Sequence, residues 1–337
     1  MLSRNTDNKK IITLASITCL LIISVGSIAV AAYNGECWVV NGSGNGEIVK
    51  VSSKGEIDPN IISGFEQPQY AVVNPKDGTL WVSDSAAASV FKFSFGGNEP
   101  VQVKFTGGQR PRSIAIDPTD GSAWVGTDAT VDEDTGAQAG TVVKITPDGK
   151  KQQIATGLKE AFVSVNTTDG SCWVADSSGK VLKYSKTGQQ LLAASFSVAL
   201  TEPKYVAVNS TTGEVWVADS QDGTLVKLDA NGKELLRTKD VGMPVSPSVN
   251  YKTGELWVAD AKNFQVVKLS ANGKVAAAIP GFTFPASVGV NSKTSEVWVA
   301  DQFANSVTKL SGNGQPVFSI PGFTLPISVS VGNWEGK

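Results

Sequence analysis

Seven Trp-Val dipeptides recur along this 337-residue chain at intervals of 41 to 49 residues. An alternating apolar segment precedes nearly every dipeptide, and a Lys-containing apolar segment with a Gly-containing turn follows it. The tryptophans of these dipeptides are Trp38, Trp81, Trp124, Trp173, Trp216, Trp257 and Trp298. Self-similarity at a period of this length indicates a repeat architecture in which each repeat is one supersecondary unit.

Each repeat contains four segments with the alternation and turn chemistry of β-strands. We name them strand a (after a proline), strand b (with the Trp), strand c (with a recurrent Lys) and strand d (after a Gly-containing turn). Four strands in about 40 to 45 residues are typical of a propeller blade. The sequence therefore predicts an all-β, seven-bladed β-propeller of four-stranded antiparallel blades, numbered here by the order of their tryptophans.

The two ends of the chain predict how the ring closes. The first repeat has a strand b at residues 36–40 but no strand a before it, whereas residues 326–331 read as a strand a with no strand b after it. Pairing the two would complete the first blade and leave no open sheet edge. We expect the C-terminal strand to complete the N-terminal blade.

The N-terminus has the pattern of an export signal. Basic residues within the first ten positions precede an apolar stretch and an A-x-A site at residues 29–31. This predicts a signal peptide over residues 1–31, a propeller over residues 33–337, and an extracytoplasmic protein that is secreted or associated with the cell surface. The alternative is an uncleaved anchor, since residues 11–32 are long enough to span a bilayer. Only in that case is a membrane an expected partner.

The repeat resembles that of NHL-repeat propellers of the exported prokaryotic type. That family runs Pro-x-x-Ile-Ala-Val-Asp, then Gly-x-hydrophobic-Tyr-Val-Ala-Asp, then Val-x-x-Phe, and the matching segments here are residues 285–291, 297–301 and 307–310. The resemblance covers residues 35–332 and departs from the family in using Trp where Tyr is usual. It implies the propeller fold, and exported propellers of this kind are often surface or interaction proteins.

Composition excludes several functional classes. The chain contains no histidine, which removes His general bases, His-based triads and His metal ligands. Its formal net charge is −2, which argues against the basic surface that nucleic-acid binding requires. We therefore expect no nucleic-acid partner.

The recurrent tryptophans and lysines are interpreted as structural. A ring of Trp suits packing between blades, and a ligand-stacking ring is the alternative. Hairpin register places Trp216 opposite Lys227 and Trp257 opposite Lys268, so that the Lys stem lies along the indole. The alternative for the lysines is a basic ring that binds anions. The recurrent lysines are Lys50, Lys92, Lys144, Lys183, Lys227, Lys268 and Lys309.

Short polar residues end strand b in every repeat. We expect them to cap the next turn through backbone N–H groups, and a cation-binding carboxylate ring is the alternative. They are Asp84, Asp176, Asp219, Asp260 and Asp301, with Asn41 and Thr127 in the other two repeats.

Strand a is expected to line the central channel. Neither the second nor the fourth position after its proline carries an acid or a base, so the channel is expected to lack a carboxylate cluster. The residues at the second position are Tyr70, Ser113, Phe162, Tyr205, Ser246, Ser287 and Ser328.

Two other features bear on metals and redox chemistry. The long loop of the third repeat carries Asp132 and Asp134, whose spacing is not the full calcium-loop pattern; a solvated acidic loop is the main interpretation and a calcium site the alternative. We otherwise expect no cofactor and no metal. Cys37 and Cys172 each precede the Trp of their repeat, and we expect two buried thiols that are too far apart for a disulfide.

The d–a and b–c loops share one face, which varies most between repeats and which we call the loop face. Its candidate binding residues are Phe264, Phe284, Phe303, Arg110 and Arg112. With no catalytic residue apparent, we expect a non-enzymatic binding or scaffold protein whose partner is a protein or a surface glycan. The alternative is a propeller-type lyase or lactonase with its site at the channel mouth. A pocket that brings three or more ionisable groups together would favour that alternative.

Overall fold

The computed structural model describes residues 12–13, 34–42, 46–94, 99–129, 139–194, 196 and 199–333. Within these ranges the chain forms 29 β-strands. None of the described residues belongs to a helix that is long and apolar enough to cross a membrane. The predicted leader lies outside the described residues, apart from positions 12 and 13.

The strands form seven sheets in the predicted order a, b, c, d. Blade 2 consists of β5 (Pro68–Val73), β6 (Leu80–Asp84), β7 (Ser89–Phe93) and β8 (Val101–Lys104). Blade 3 consists of β9 (Gln109–Asp117), β10 (Ser122–Ala129), β11 (Gly140–Ile145) and β12 (Lys151–Leu158). Blade 4 consists of β13 (Ala161–Val165), β14 (Cys172–Asp176), β15 (Lys180–Tyr184) and β16 (Gln190–Ala193).

The next three blades repeat this arrangement with little variation in length. Blade 5 consists of β17 (Pro203–Val208), β18 (Val215–Asp219), β19 (Thr224–Leu228) and β20 (Glu234–Thr238). Blade 6 consists of β21 (Pro244–Val249), β22 (Leu256–Asp260), β23 (Gln265–Leu269) and β24 (Val275–Pro280). Blade 7 consists of β25 (Pro285–Val290), β26 (Val297–Asp301), β27 (Ser306–Leu310) and β28 (Pro316–Pro321).

Blade 1 joins the two ends of the chain, as predicted. Its inner strand is β29 (Pro326–Asn333), which pairs antiparallel with β2 (Asn34–Asn41), so that Trp38 faces Ser330. The blade continues outward through β3 (Glu47–Val51) and the short β4 (Ile62–Ser63). A two-residue strand, β1 (Ile12–Thr13), adds to β4 in parallel.

The inner strands touch one another in a closed circle. Contacts run from β5 through β9, β13, β17, β21 and β25 to β29, which returns to β5. The molecule is a seven-bladed β-propeller whose first blade is completed by the C-terminal strand. The predicted fold class is confirmed.

The tryptophans fill the spaces between blades. Six of them are 0–1% exposed and Trp38 is 4% exposed. Trp173 of blade 4 packs with Val215 and Val217 of blade 5, and Trp298 of blade 7 packs with Val39 of blade 1. Burial to this degree leaves no indole face for a ligand, so the packing interpretation is confirmed.

Each recurrent lysine lies over the tryptophan of its own blade. Trp216 faces Lys227 and Trp257 faces Lys268, as the register predicts. The seven Nζ atoms lie 5.3–5.9 Å from the indole centroids. In blades 2 to 7 the same ammonium group also donates a hydrogen bond, 2.7–3.0 Å long, to a carbonyl in the c–d turn of the next blade. The lysines therefore link blades.

The aspartates that end strand b hold the preceding d–a loop. Asp84, for example, accepts hydrogen bonds from the backbone N–H groups of Glu66 and Gln67, at 2.8 and 2.9 Å. Asp176, Asp219, Asp260 and Asp301 accept bonds at the corresponding places. Capping of backbone N–H groups is confirmed, but the segment capped in all five blades is the d–a loop that leads into strand a, in addition to or in place of the turn after strand b.

Both cysteines of the described residues are buried and free. Cys37 lies on the central strand of blade 1 and Cys172 on that of blade 4. Burial raises the pKa of each thiol well above its usual value. The thiols are therefore unreactive packing groups, as predicted.

Candidate site at the channel mouth

The loop face carries the channel mouth, where the d–a loops lead into the inner strands. In blades 3 to 5 this rim carries alternating charges from three different repeats. Arg112 Nε donates to Asp128 Oδ2 at 2.8 Å and lies 3.8 Å from Glu160 Oε1. Glu160 Oε2 lies 3.7 Å from Lys204 Nζ, which lies 3.4 Å from Glu202 Oε1. More than three ionisable groups therefore converge at the mouth, and they form what we call the rim network.

Asp128 belongs to this network because blade 3 departs from the repeat. Thr127 occupies the position of the capping aspartate, and its hydroxyl accepts the Thr141 N–H at 2.9 Å. Strand β10 then shifts register by a bulge and continues, pairing Asp128 with Arg110. Arg110 binds the carboxylate of Asp128 through two hydrogen bonds, at 3.0 and 2.7 Å. The carboxylate thus lies one residue beyond its counterparts, free of the capping role.

Glu160 occupies the position that proline holds in the other repeats. Its backbone is held on both sides: its N–H donates to Asp176 Oδ1 at 3.2 Å, and its carbonyl accepts the Ser177 N–H at 3.0 Å. It also forms an isolated antiparallel bridge with Asp128 of blade 3. Its carboxylate, in contrast, has only the two cations at 3.7 and 3.8 Å as partners among the described residues. A fixed backbone thus carries a carboxylate with open hydrogen-bonding capacity.

Two tyrosines share the electrostatic field of these groups. The pKa of Tyr70 is raised well above its usual value, mainly by burial and to a smaller extent by the electrostatic influence of Tyr205 and Glu160. The pKa of Tyr205 is raised to about 12, mainly by burial and to a smaller extent by the charge of Glu160. The charge of Arg112 acts to lower it. The ring of Tyr205 packs against Phe162, with centroids 5.1 Å apart. Both phenols are therefore neutral donors near Glu160 at physiological pH.

The serines of the inner strands have a structural role. Ser113 Oγ donates to the Ala161 carbonyl and accepts the Val163 N–H, both at 3.1 Å. Ser287 Oγ accepts the Val329 N–H at 3.2 Å and lies 2.9 Å from Ser246 Oγ. These hydroxyls join neighbouring inner strands, so they are not candidate nucleophiles.

The predicted binding residues fall into two separate groups. Arg110 and Arg112 lie in the rim network. Phe264 and Phe303, on blades 6 and 7, are 51% and 58% exposed, and Phe303 lies 4.9 Å from the ring of Phe284. The structure therefore places the arginines and the phenylalanines on different blades of the loop face.

The metal candidates Asp132 and Asp134 lie outside the described residues. Within the described ranges, no three His, Cys, Asp or Glu side chains come close enough to hold a metal ion. Asp128 and Glu160 at the mouth are each neighboured by cations. This donor set does not fit calcium.

The expectation of a channel without carboxylates does not extend to its mouth. It considers the second and fourth positions after the proline, whereas the rim network uses the position of the proline itself (Glu160) and the next one (Arg112, Lys204). The available sequence signal is the loss of proline in the fourth repeat, together with the charged residue that follows the proline in the third and fifth repeats. Asp128 has a weaker signal, the substitution of Thr for Asp at the preceding position.

Grooves on the outer side of the ring do not involve these groups. One of about 420 Å³ lies between blades 3 and 4 and is lined by Ile154, Leu182 and Tyr184. Another of about 320 Å³ lies on blade 1 beside Glu36 and Lys50. Neither contains a residue of the rim network.

No protein-family model matches this chain, and no curated protein is similar to it in sequence. Solved structures share its fold. The periplasmic gluconolactonase of Pseudomonas aeruginosa superposes with a TM-score of 0.69 at 14% identity, covering 88% of this chain and 98% of that one. Virginiamycin B lyase from Staphylococcus aureus gives 0.63 at 14% identity over 76% and 84%. A nidogen/laminin complex gives 0.57 at 11% identity over 89% and 99%.

The prediction of a non-enzymatic binding or scaffold protein is wrong as the main interpretation. The structural neighbours include a lactonase and lyases, which favours the alternative of a propeller-type enzyme. Other neighbours are proteins of unknown function, and identities of this size establish the fold alone. The physical reason for the error is the rim network, whose charges come from repeat positions that the sequence interpretation did not consider.

Proposed function

We propose that this protein is a hydrolase of lactones or related esters, with its active site at the channel mouth. The observation that carries the proposal is the carboxylate of Glu160, which is fixed at its backbone, flanked by Arg112 and Lys204, and near two neutral phenols. A base, a cation and neutral hydrogen-bond donors in one place are the groups that acyl transfer to water requires.

The proposed reaction uses each group once. The Glu160 carboxylate takes a proton from a water molecule, and the water oxygen attacks the carbonyl carbon of the lactone. Arg112, with Tyr70 or Tyr205, donates hydrogen bonds to the carbonyl oxygen as it becomes negative. Collapse of the tetrahedral intermediate breaks the ring C–O bond, and the proton held by Glu160 passes to the leaving oxygen. The product is a hydroxy acid, and atoms and charge balance.

Hydrolysis of a lactone is favoured over elimination by the composition of this chain. A histidine-to-alanine variant of the Staphylococcus aureus lyase is catalytically inactive and has been solved with quinupristin. This chain contains no histidine. A lyase mechanism that depends on histidine is therefore not available here, whereas a carboxylate base is.

Glu160→Gln tests the proposal. The amide keeps the size of the side chain but cannot accept a proton, so kcat for lactone opening should fall by about 100-fold or more. Acid release from a panel of γ- and δ-lactones would be followed in a pH-stat. Glu66→Gln is the matched control, because Glu66 is an exposed carboxylate in a d–a loop of the same face. Full activity in Glu160→Gln, or no hydrolysis of any lactone by the wild type, would refute the proposal.

We also propose that the protein works outside the cytoplasm and that its blades are of the NHL type. The export pattern at the N-terminus and the repeat pattern of blade 7 support these two points. N-terminal sequencing of the mature protein should give Ala32 or Tyr33 as the first residue. Recovery of Met1 or Leu2 would instead indicate a retained anchor.

A further inference from the structure

We propose that the channel mouth binds an amphiphilic compound, with a carboxylate or lactone group against blades 2 to 5 and an aromatic or alkyl group against blades 6, 7 and 1. This inference rests on the proposed function for the location of the site. It adds the class of substrate, which the rim network alone does not specify.

The residue immediately before the inner-strand proline divides the mouth into two halves. It is polar or charged in blades 2 to 5 and apolar in blades 6, 7 and 1. In blade 4, Glu160 takes the place of the proline. In ring order from blade 2 the residues are Gln67, Arg110, Lys159, Glu202, Met243, Phe284 and Leu325.

The residue after the proline divides the mouth at the same blades. It is Gln69, Arg112, Ala161 and Lys204 in blades 2 to 5, and Val245, Ala286 and Ile327 in blades 6, 7 and 1. Blade 4 has an alanine there and contributes its charge through Glu160. Val245 is buried in the core between blades 6 and 7, and Ile327 packs against the core of blades 1 and 2, so the difference at this position adds charge to the polar half and little apolar surface to the other half.

The polar half is continuous across blades. Arg112 Nη1 donates to Gln69 Oε1 of blade 2 at 3.4 Å, and Glu160 lies between Arg112 and Lys204. Guanidinium and ammonium groups recognise carboxylate and carbonyl oxygens. This half therefore suits the oxygen-bearing end of a substrate.

The apolar half presents aromatic rings to solvent. Phe303 is 58% exposed and stacks at a tilt on Phe284, which is half-buried against the core of blades 6 and 7. An exposed ring anchored by a half-buried one is a surface on which an aryl or alkyl group can pack.

Phe264 adds an observation of a different kind. Its φ is +55°, in a region that L-residues avoid, and its side chain is 51% exposed. The same loop position also has positive φ in blades 2, 4, 5 and 7, where it holds Ala88, Gly179, Gly223 and Asn305, so the conformation belongs to the turn. Of these five blades, blade 6 alone places a large apolar side chain there, and the side chain gains little from burial. Phe264 therefore adds an exposed ring on blade 6.

These features argue against a polyhydroxylated ligand. A sugar ring placed across the mouth would bring hydroxyl groups against Met243, Phe284 and Leu325, whose side chains offer no strong hydrogen-bond partner. An aryl or alkyl group could be desolvated there without leaving a polar group short of a hydrogen-bond partner. We therefore commit to an amphiphilic acid or lactone.

Calorimetric titration of the purified protein tests the inference. The probes are 3-(2-hydroxyphenyl)propionate, which is the ring-opened form of dihydrocoumarin, and gluconate as the hydrophilic acid. The aryl acid should bind at least 10-fold more tightly than gluconate. Phe303→Ser should weaken aryl-acid binding by about 10-fold and leave gluconate unchanged. Val317→Ser is the matched control, because Val317 is 52% exposed on an outer strand of the same blade.

Binding and turnover separate this inference from the proposed function. Phe303-dependent binding of the aryl acid, without hydrolysis of dihydrocoumarin or of any other lactone of the panel, would support the amphiphile site and refute the hydrolase. Hydrolysis of lactones with gluconate bound as tightly as the aryl acid, or with no effect of Phe303→Ser, would support the hydrolase and refute the amphiphile site. Absence of binding by either acid would also refute the amphiphile site.

Discussion

At the scale of single residues, the aspartates that end strand b show how much one buried carboxylate can organise. Asp260 is fully buried and accepts hydrogen bonds from the N–H groups of Gly242 and Met243, both at 3.1 Å. Burial alone would raise its pKa, but hydrogen bonds from Gln265 and Asn263 and from these two N–H groups outweigh burial and lower the pKa. The carboxylate is therefore a structural group in its charged form.

Asp260→Asn should destabilise the protein by about 1.5–3 kcal/mol at pH 7, the usual contribution of hydrogen bonds to a charged group. Because the folded-state pKa is lowered, this stabilisation is present above the unfolded pKa of about 3.9 and is lost as pH falls through the folded value. Denaturant midpoints of wild type and variant should therefore converge below about pH 4. Asp240→Asn, at an exposed aspartate, is the control; an equal effect there would contradict the argument.

Gly126 is a second residue whose effect extends to the site. A Cβ at this position would lie 2.1 Å from the Ala161 carbonyl oxygen and 2.7 Å from Ser113 Oγ. Blades 2, 4, 5, 6 and 7 carry Ser or Ala at the corresponding position. Glycine therefore allows blades 3 and 4 to approach closely, and this approach places Glu160 beside Asp128.

Gly126→Ala should push β13 away from β10, cost about 1–3 kcal/mol of stability through overpacking, and lower the proposed lactonase activity. Thermal unfolding and a kinetic assay would measure the two effects. Ala218→Ser, at the corresponding buried position of blade 5, tests whether any enlargement there is equally harmful. Wild-type stability and activity in Gly126→Ala would show that the glycine does not position Glu160.

The site residues divide according to whether they follow or break the repeat. Trp and Lys positions could be predicted, because each recurs seven times and has one physical role. Glu160 could not be recognised as a mouth residue by counting from a proline, because it replaces that proline. Asp128 reaches the mouth through a register shift in β10. Local departures of this kind are visible only once the strands are paired.

At the scale of strands, the link between blades is made by strand c. Lys227 of β19 lies 5.9 Å from the Trp216 ring centroid, donates to the Ala271 carbonyl of blade 6 at 2.9 Å, and pairs with Glu214 at 2.9 Å. The side chain is nearly buried. One lysine thus joins two hairpins of its own blade and a turn of the next.

Lys227→Met separates the charge of this side chain from its apolar stem. The variant keeps the contact with the indole but leaves the Ala271 carbonyl and the Glu214 carboxylate without their partner. We expect a loss of about 1–3 kcal/mol in the free energy of unfolding, measured by denaturant titration. Lys233→Met, at an exposed turn of the same blade, should be nearly neutral. A neutral Lys227→Met would mean that only the stem contributes.

The strand boundaries also show in which blades the repeat pattern alone predicts the structure. Blades 5, 6 and 7 follow the prediction closely, because their turns and alternation are nearly identical. In blade 1 the strand d position holds only the two-residue β4, and β1 pairs with the outer edge of β4. In blade 3 the strands are longer than in blades 2 and 4 to 7. Neither difference has a signal in the alternating pattern.

At the scale of the whole molecule, the fold could be predicted and the arrangement of charges at the mouth could not. The same four-strand repeat occurs seven times around the ring, so the structure of one repeat predicts the structure of the others. The site depends on differences between blades, and those differences are meaningful only after the ring brings blades 2 to 5 and blades 6, 7 and 1 to opposite sides of one mouth. Repeat variation predicted a loop face that carries Arg110 and Arg112 as candidates. Their acidic partners could not be predicted, because Glu160 replaces a proline and Asp128 follows a register shift in β10.

Closure of the ring by β29 makes stability a property of the whole molecule. This strand pairs with β2 and contacts the inner strands β5 and β25 on either side. Removing residues 326–337 would expose the edge of β2 and open the inner circle between blades 7 and 2. We expect such a chain to lose cooperative unfolding, to melt at least 10 °C lower, and to associate through the open edge. Circular dichroism melts and light scattering after size exclusion would show this. Removing only residues 334–337 leaves β29 intact and should change neither measurement. If the longer truncation melted like the wild type and stayed monomeric, strand closure would not be what holds the ring together.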